Sequence, residues 1–206
     1  MSYRLSPVAR FPAQIHDIKA AIRFLRARAS DLGIDARKVA VSGASAGGHL
    51  AALVGVSNGH VELEGKIGEC LEQSSDVHAW VSFYGPSNFM TILNQSTPHG
   101  LGVRIPALQL LLGAQPEDIE DLATLASPVC HVDANDPPML LVHGDQDPQV
   151  PINQSHELQG VYLEHGIGDR VQFEVIHGGV HGGKPFYDAE RMQLMADFLK
   201  RTLSVL

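Results

Sequence analysis

The 206-residue sequence is poor in cysteine and in positive charge. Its two cysteines, Cys70 and Cys130, are too few for a disulfide framework, and they lack the C-x-x-C spacing of zinc and redox sites. Free thiols are therefore favoured over a single bridge. The net charge of −8 would repel nucleic acid and anionic membranes, so neither is an expected partner.

The sequence also lacks an apolar run of about 18 residues and a recognisable signal at its start. These absences predict a soluble protein, cytoplasmic by the lack of a signal, but the location is left open because secretion signals lie at N-termini and we expect this N-terminus to be truncated. Hydrophobic residues make up 44% of the chain and charged residues 18%, as in ordinary globular proteins, which argues against disordered and fibrous classes. At this length we expect one domain over residues 1–206.

Short apolar segments alternate with amphipathic ones along the chain. Strands are predicted at residues 38–42, 79–84, 139–143 and 171–176. Helices are predicted at 13–30, from 46 to about 57, at 153–165 and at 185–203, with a loop over 58–76. This alternation predicts an α/β fold, a three-layer sandwich with a mostly parallel sheet covered on both faces.

Residues 39–50 have the pattern of a strand, a turn of small residues centred on Ser45, and the start of a helix. Gly43 and Gly47 flank the serine as G-x-S-x-G, because side chains two positions to either side of a strained turn would collide. Such a turn raises the hydroxyl above the carboxyl ends of the strands. It also places the N–H of Ala46 at a helix N-terminus, where an oxyanion can be stabilised. We therefore expect a nucleophile at Ser45 and an oxyanion donor at Ala46.

A serine nucleophile needs a histidine base, and that histidine needs a carboxylate. Asp145 and Asp147 follow the third predicted strand, and His177 and His181 follow the fourth. Asp147 is favoured because Asp145 could equally cap its own turn, and His181 is favoured because its glycine neighbours let a loop fold over the serine. The two histidines could instead bind zinc, but they share no helix face and no third ligand has a defined spacing. No metal and no cofactor are predicted.

The segment at about 86–137, between the second and third strands, is too long for a plain crossover. We interpret it as an insertion over the carboxyl ends of the strands, where open α/β sheets bind ligands. The candidate pocket residues in and beside it are Tyr84, Phe89, Met90, Leu108 and Leu112. The alternative is that these side chains only pack the insertion onto the sheet. His49 is predicted to pack near the site without acting as a base.

Six motifs in order resemble the α/β-hydrolase esterases, in the branch of hormone-sensitive-lipase-like carboxylesterases that includes acetyl-xylan and feruloyl esterases. They are Y-R-L-S-P at 3–7, R-F-P-A-Q at 10–14, G-x-S-A-G-G-H-L at 43–50, F-Y-G-P at 83–86, D-P-P at 136–138 and H-G-D-x-D-x-x-V-P at 143–151. The resemblance implies a triad of Ser45, Asp147 and His181. It also implies a serine carboxylesterase that hydrolyses short or small acyl esters of acetyl, butyryl or feruloyl type.

One departure from this family concerns the oxyanion hole. Members usually begin with further strands and an H-G-G-G loop that supplies a second donor, and we find neither, so we expect an N-terminally truncated fold. One lost donor typically costs about 2.7–4 kcal/mol of transition-state stabilisation. The strand at 39–41 would then be an apolar sheet edge, which predicts a homodimer. The alternatives are a weak or inactive hydrolase fragment that binds or oligomerises, and a prolyl-oligopeptidase-type serine peptidase.

Overall fold

A four-stranded parallel sheet lies at the centre of the computed structural model, which describes residues 2–204. Its strands are β1 (Ala40–Ala44), β2 (Ala79–Phe83), β3 (Met139–Gly144) and β4 (Val171–Ile176), in the order β1-β2-β3-β4. Their register pairs Ala40 with Ala79, Trp80 with Met139, and Met139 with Val171. All four strands point the same way, so the loops that follow them meet at one edge of the sheet.

Helices cover both faces of this sheet. They are α1 (Ala13–Ala27), α2 (Ala29–Leu32), α3 (Ala46–Gly55), α4 (Val61–Glu64), α5 (Ile92–Gln95), α6 (Pro98–Leu112), α7 (Glu120–Leu125), α8 (Asn153–Glu164) and α9 (Ala189–Leu203). Trp80 and Leu141 point toward α3 and α8, whereas Val81 and Leu140 point toward α9. Side chains that alternate between two buried faces explain the continuous apolar runs of β2 and β3. The predicted three-layer α/β fold is confirmed.

Several boundaries differ from the prediction. β1 runs two residues further than expected and ends immediately before Ser45. The first predicted helix is interrupted at Arg28, which separates α1 from α2. The predicted loop at 58–76 contains α4, whose Glu64 forms ion pairs with the buried Lys19 and Arg23 of α1. Because buried cations need a partner, this one-turn helix has a structural role that periodicity could not reveal.

The segment between β2 and β3 contains α5, α6 and α7. Thr97 caps α6 by accepting a hydrogen bond from Gly100 N–H at 3.1 Å, and Leu108 and Leu112 pack into the same core as α1 and α3. The assignment of this segment as an insertion within one domain stays a prediction.

Strand β1 lies at an edge of the sheet, and within residues 2–204 it pairs only with β2. Ser42 is exposed, and the other β1 residues are partly buried. A homodimer through this edge stays a prediction.

Among the helices of the described chain, none combines the length and hydrophobicity that a bilayer crossing needs.

Candidate active site

Ser45 occupies the single residue between β1 and α3. Its backbone has φ 53° and ψ −118°, a conformation that non-glycine residues rarely adopt. The Ser45 N–H donates to the Phe83 carbonyl at 2.9 Å, which joins the turn to the end of β2. The sharp turn directs the serine side chain toward the loops that follow the other strands.

The glycines around Ser45 do not impose equal steric demands. A Cβ on Gly43 would lie 2.1 Å from the carbonyl oxygen of Gly47, so only glycine fits there. A Cβ on Gly47 would meet no atom within 4 Å. At Gly48, a Cβ would lie 2.8 Å from the Phe83 carbonyl oxygen, because α3 packs closely on the end of β2. The expected steric need for glycine is therefore confirmed at Gly43 and wrong at Gly47.

The structure brings Ser45, Asp147 and His181 into one hydrogen-bonded chain. The Ser45 Oγ lies 2.8 Å from His181 Nε2, and His181 Nδ1 lies 2.7 Å from Asp147 Oδ2. Because an ionised carboxylate only accepts, Nδ1 carries the proton and Nε2 is free to accept from the serine hydroxyl. This tautomer is the one in which His181 can act as a base toward Ser45.

Asp147 is held as a carboxylate by its surroundings. Burial by itself would raise its pKa, but hydrogen bonds from His143, His181 and the N–H groups of Val150 and Gln149 hold the pKa well below its ordinary value. The two N–H groups donate to Oδ1 at 2.9 and 2.8 Å. The carboxylate is therefore ionised and fixed in orientation.

His143 supports this arrangement, and sequence reasoning missed its contribution. It is fully buried, and its Nε2 lies 2.9 Å from the Val150 carbonyl and 3.5 Å from Asp147 Oδ2. Since a carbonyl only accepts, Nε2 carries the proton, and Nδ1 accepts from the Ser155 hydroxyl at 2.8 Å. The only available signal was its position in H-G-D-x-D.

Asp145 and His177, the two residues not favoured for the triad, pair with each other. His177 Nδ1 lies 3.0 Å from Asp145 Oδ2, and the Gly178 N–H donates to Oδ1 at 2.7 Å. The His177 side chain is 88% exposed, so this pair lies on the surface. His177 and His181 therefore contact different carboxylates.

Within residues 2–204 no group of three or more His, Cys, Asp or Glu side chains could hold a metal. Cys70 and Cys130 are both free thiols.

The loops after β3 and β4 contact each other through their backbones. A Cβ on Gly144 would lie 2.2 Å from the Gly179 carbonyl oxygen. The same oxygen accepts a hydrogen bond from the Gln146 N–H at 3.0 Å. This close approach holds the loop that carries Asp147 against the loop that carries His181.

A cavity of about 150 Å³ opens beside Ala46, the first residue of α3. N–H groups in the first turn of a helix have no partner within the helix, so Ala46 can donate at this point. The lining residues come from the start of the chain, α1, α3, the loop after β2, and α6: Tyr3, Leu5, Ser6, Gln14, Ala46, His49, Leu50, Pro86, Phe89, Arg104, Ala107, Leu108 and Leu111. Sequence reasoning did not identify Arg104 or the residues before α1 as part of this wall.

Two of the candidate pocket residues, Phe89 and Leu108, line the cavity, and Tyr84, Met90 and Leu112 do not. The backbone of Tyr84 has φ 42°, and the centroid of its ring lies 4.7 Å from that of the His181 ring. Met90 and Leu112 pack into the core of α1 and α3 instead.

His49 lines the cavity as a neutral residue. Burial lowers its pKa to about 4, its Nε2 lies 2.7 Å from the Ala126 carbonyl, and its ring stacks on Phe89. The prediction that His49 packs near the site is confirmed.

Comparison with known proteins supports a single family. Residues 1–162 match the BD-FAE family, a span that includes Ser45 and Asp147 and ends before His181. The chain is similar to Esterase LipC of Mycobacterium tuberculosis, at 33% identity over 159 residues that make up 75% of this chain and 37% of LipC. Among solved structures it is similar to a truncated carbohydrate esterase from gut microbiota, with 34% identity and a TM-score of 0.89 over 99% of this chain and 73% of that one.

The butyrate-bound esterase Est2 of Thermogutta terrifontis is a further structural relative. It is 25% identical with a TM-score of 0.69, and the alignment covers 99% of this chain and 67% of Est2. The chain spans little more than a third of the length of the sequence relative, 37% of LipC. The family match nevertheless covers most of the chain, and the structural alignment with the truncated carbohydrate esterase covers 99% of it. The chain therefore belongs to the BD-FAE family of α/β-hydrolase esterases.

Proposed function

We propose that this chain is a serine carboxylesterase that hydrolyses esters of short acyl groups. The observation that carries the proposal is the hydrogen-bonded chain from Asp147 through His181 to Ser45, at 2.7 and 2.8 Å. This series of hydrogen bonds ends at Ser45, which directly precedes the N-terminus of α3. The esterase family to which the protein belongs supports the same activity.

In the first half-reaction the Ser45 oxygen attacks the ester carbonyl carbon while His181 Nε2 takes the hydroxyl proton. The negative charge that develops on the carbonyl oxygen is stabilised by the Ala46 N–H. His181 then gives its proton to the leaving alcohol oxygen as the carbon–oxygen bond breaks, which leaves an acyl-serine.

In the second half-reaction water replaces the alcohol. His181 accepts a proton from the water as its oxygen attacks the acyl-serine, then returns that proton to Ser45 as the acid leaves. Asp147 holds the His181 ring and stabilises its charged form in both steps, and no proton moves to the carboxylate. No cofactor takes part in this proposed sequence.

The cavity supports a short acyl group as the substrate. A volume of about 150 Å³ matches one that holds a benzene-sized ligand, so acetyl and butyryl groups fit within it. A feruloyl group carries a substituted ring and a three-carbon linker, and is therefore larger than a benzene-sized ligand. The butyrate bound to Est2 supports the same size class. We therefore rank acetyl and butyryl above feruloyl.

The test is hydrolysis of p-nitrophenyl acetate, butyrate and octanoate and of methyl ferulate by the purified chain. We expect the acetyl and butyryl esters to have the highest kcat/KM. Ser45→Ala should lower kcat by about a thousandfold or more, whereas the control Ser42→Ala, at an exposed position of β1, should retain activity. A folded wild-type protein without serine-dependent turnover would contradict the proposal and favour a binding module.

A further inference from the structure

The cavity beside Ala46 has one charged residue in its wall, Arg104 of α6, and no Asp or Glu. Within residues 2–204 no ion pair or hydrogen bond satisfies the Arg104 side chain, and its Nε is buried without a partner. Burial lowers the pKa of Arg104, and the negative charge of Asp147 opposes this. A guanidinium stays protonated in proteins, so the cavity contains an unpaired cation. Arg104 is partly exposed, so the donor that lacks an acceptor is its buried Nε–H, and a bound anion would supply one.

A second polar atom in the same wall also has no partner. The Gln14 side chain is only 2% exposed, and its Nε2 donates to the Ala9 carbonyl at 2.6 Å, which fixes the orientation of the amide. Its Oε1 is buried and accepts no hydrogen bond from the described residues. Because Oε1 is an acceptor, a carboxylate cannot pair with it, and Arg104 is the charged donor that this cavity offers to an anion.

The position of the cavity relative to the triad identifies the part of an ester that it receives. Ala46 lines the cavity, so the space begins beside the proposed oxyanion donor. His181, which protonates the leaving alcohol in the proposed reaction, is absent from the lining. Ser45 is absent from the lining as well, so it is the place of the cavity beside Ala46 that assigns the acyl group to it.

We propose that Arg104 is a specificity-determining residue that selects acyl groups ending in a carboxylate, as in half-esters of short dicarboxylic acids. This inference rests on the proposed esterase function. Guanidinium and carboxylate form paired, charge-assisted hydrogen bonds, and the apolar side chains of Leu108 and Phe89 would contact the methylene groups between the ester and the acid. The volume of the cavity limits the chain to about the length of succinyl or glutaryl.

The test compares the hydrolysis of methyl hydrogen glutarate and methyl pentanoate, measured by titration of the acid released. The two acyl groups have the same chain length, but glutaryl ends in a carboxylate and pentanoyl in a methyl group. We expect the wild-type chain to favour the glutarate ester in kcat/KM by about tenfold or more. Arg104→Gln should lower the glutarate-to-pentanoate ratio by about tenfold to a hundredfold, and Arg104→Lys should restore part of it. Arg28→Gln, at an exposed position that does not line the cavity, makes the same change in net charge and should leave the ratio unchanged.

A binding measurement separates this inference from the proposed function. Free glutarate should raise the Tm of the wild-type chain more than free pentanoate does, and Arg104→Gln should abolish the difference. Hydrolysis of both esters with a ratio that Arg104→Gln leaves unchanged would overturn the role of Arg104 and leave the esterase intact. If the wild type hydrolysed p-nitrophenyl butyrate but neither methyl ester, the role of Arg104 would be overturned and the esterase would stand. If it hydrolysed none of the three, the proposed function would fail, and the absence of a glutarate effect on Tm would overturn the carboxylate site as well.

Discussion

Gly43→Ala should damage both the fold and the activity. The added Cβ would lie 2.1 Å from the Gly47 carbonyl oxygen and 2.3 Å from its carbon, whereas real contacts stay above 3.0 Å. The first turn of α3 must therefore shift by about 1 Å, and Ser45 lies within the segment that moves. Inserting one extra carbon into a packed region costs about 1–3 kcal/mol, which for a chain of this length lowers the Tm by about 2–12 °C.

The effect on rate should be larger than the effect on stability. The Ser45 Oγ lies 2.8 Å from His181 Nε2, and a displacement of about 1 Å breaks this hydrogen bond. A misplacement of that size can cost about a hundredfold in rate, so we expect kcat/KM for p-nitrophenyl butyrate to fall by about that factor. The measurement is made well below the Tm of the variant, so that unfolding does not contribute.

Gly47→Ala is the matched control. It adds the same carbon at the second residue of α3, where no atom beyond the neighbouring residues and the helix's own backbone lies within 4 Å. We expect this variant to keep its activity and to keep its Tm within about 2 °C of wild type. The reasoning would be refuted if Gly43→Ala kept kcat/KM within about threefold of wild type, or if Gly47→Ala lost as much as Gly43→Ala.

Three further predictions concern other parts of the molecule. Asp147→Asn should lower kcat by about 10⁴-fold in the p-nitrophenyl butyrate assay, whereas Asp145→Asn, in the surface pair, should stay within about threefold of wild type. Burial raises the pKa of Asp136 to about 7, above the value of about 3.9 for an unfolded chain, so its stabilising contribution is present at low pH and is lost as pH rises through 7. Asp136→Asn should accordingly raise the Tm more at pH 8 than at pH 5, and an equal change at both would contradict this assignment. If β1 pairs with a second copy, light scattering at about micromolar concentration should give a dimer mass, and a monodisperse monomer would exclude it.

Strands β2 and β3 could be predicted from the sequence because both are buried throughout and appear as apolar runs, whereas β4 alternates apolar residues with Gln172 and Glu174 and is only partly buried. The choice of Asp147 and His181 followed from the positions of the loops after β3 and β4, and the structure places these two side chains 2.7 Å apart, but their catalytic roles stay a prediction. Two of the candidate pocket residues that do not line the cavity lie just after β2. Tyr84 and Met90 follow β2 closely, but the chain turns sharply at Tyr84, and periodicity carries no information about a single residue at φ 42°.

The support around the site was also hidden from sequence reasoning. The contacts of His143 with Val150 and Ser155 join residues 7 and 12 positions apart through a buried loop, where no repeat or motif fixes the geometry. Arg104 belongs to a helix that is apolar around most of its surface, so no amphipathic pattern indicated which side faces the cavity. Such contacts depend on tertiary packing, which composition and spacing do not specify.

The geometry of the triad and the shape of the cavity depend on different parts of the chain. Close contacts between main-chain atoms hold the loops of the proposed triad in place. Gly43 lies against the start of α3, and Gly144 lies against Gly179, and both contacts require a residue without a side chain. The far wall of the cavity is formed by α6, whose Arg104 and Leu108 belong to neither of these contacts. Preorganised catalytic groups on rigid elements tolerate changes in a separate wall, because those changes do not move the reacting atoms. Substitutions at Arg104 and Leu108 should therefore change which acyl group is accepted, whereas substitutions at the glycine contacts should lower the rate for every ester.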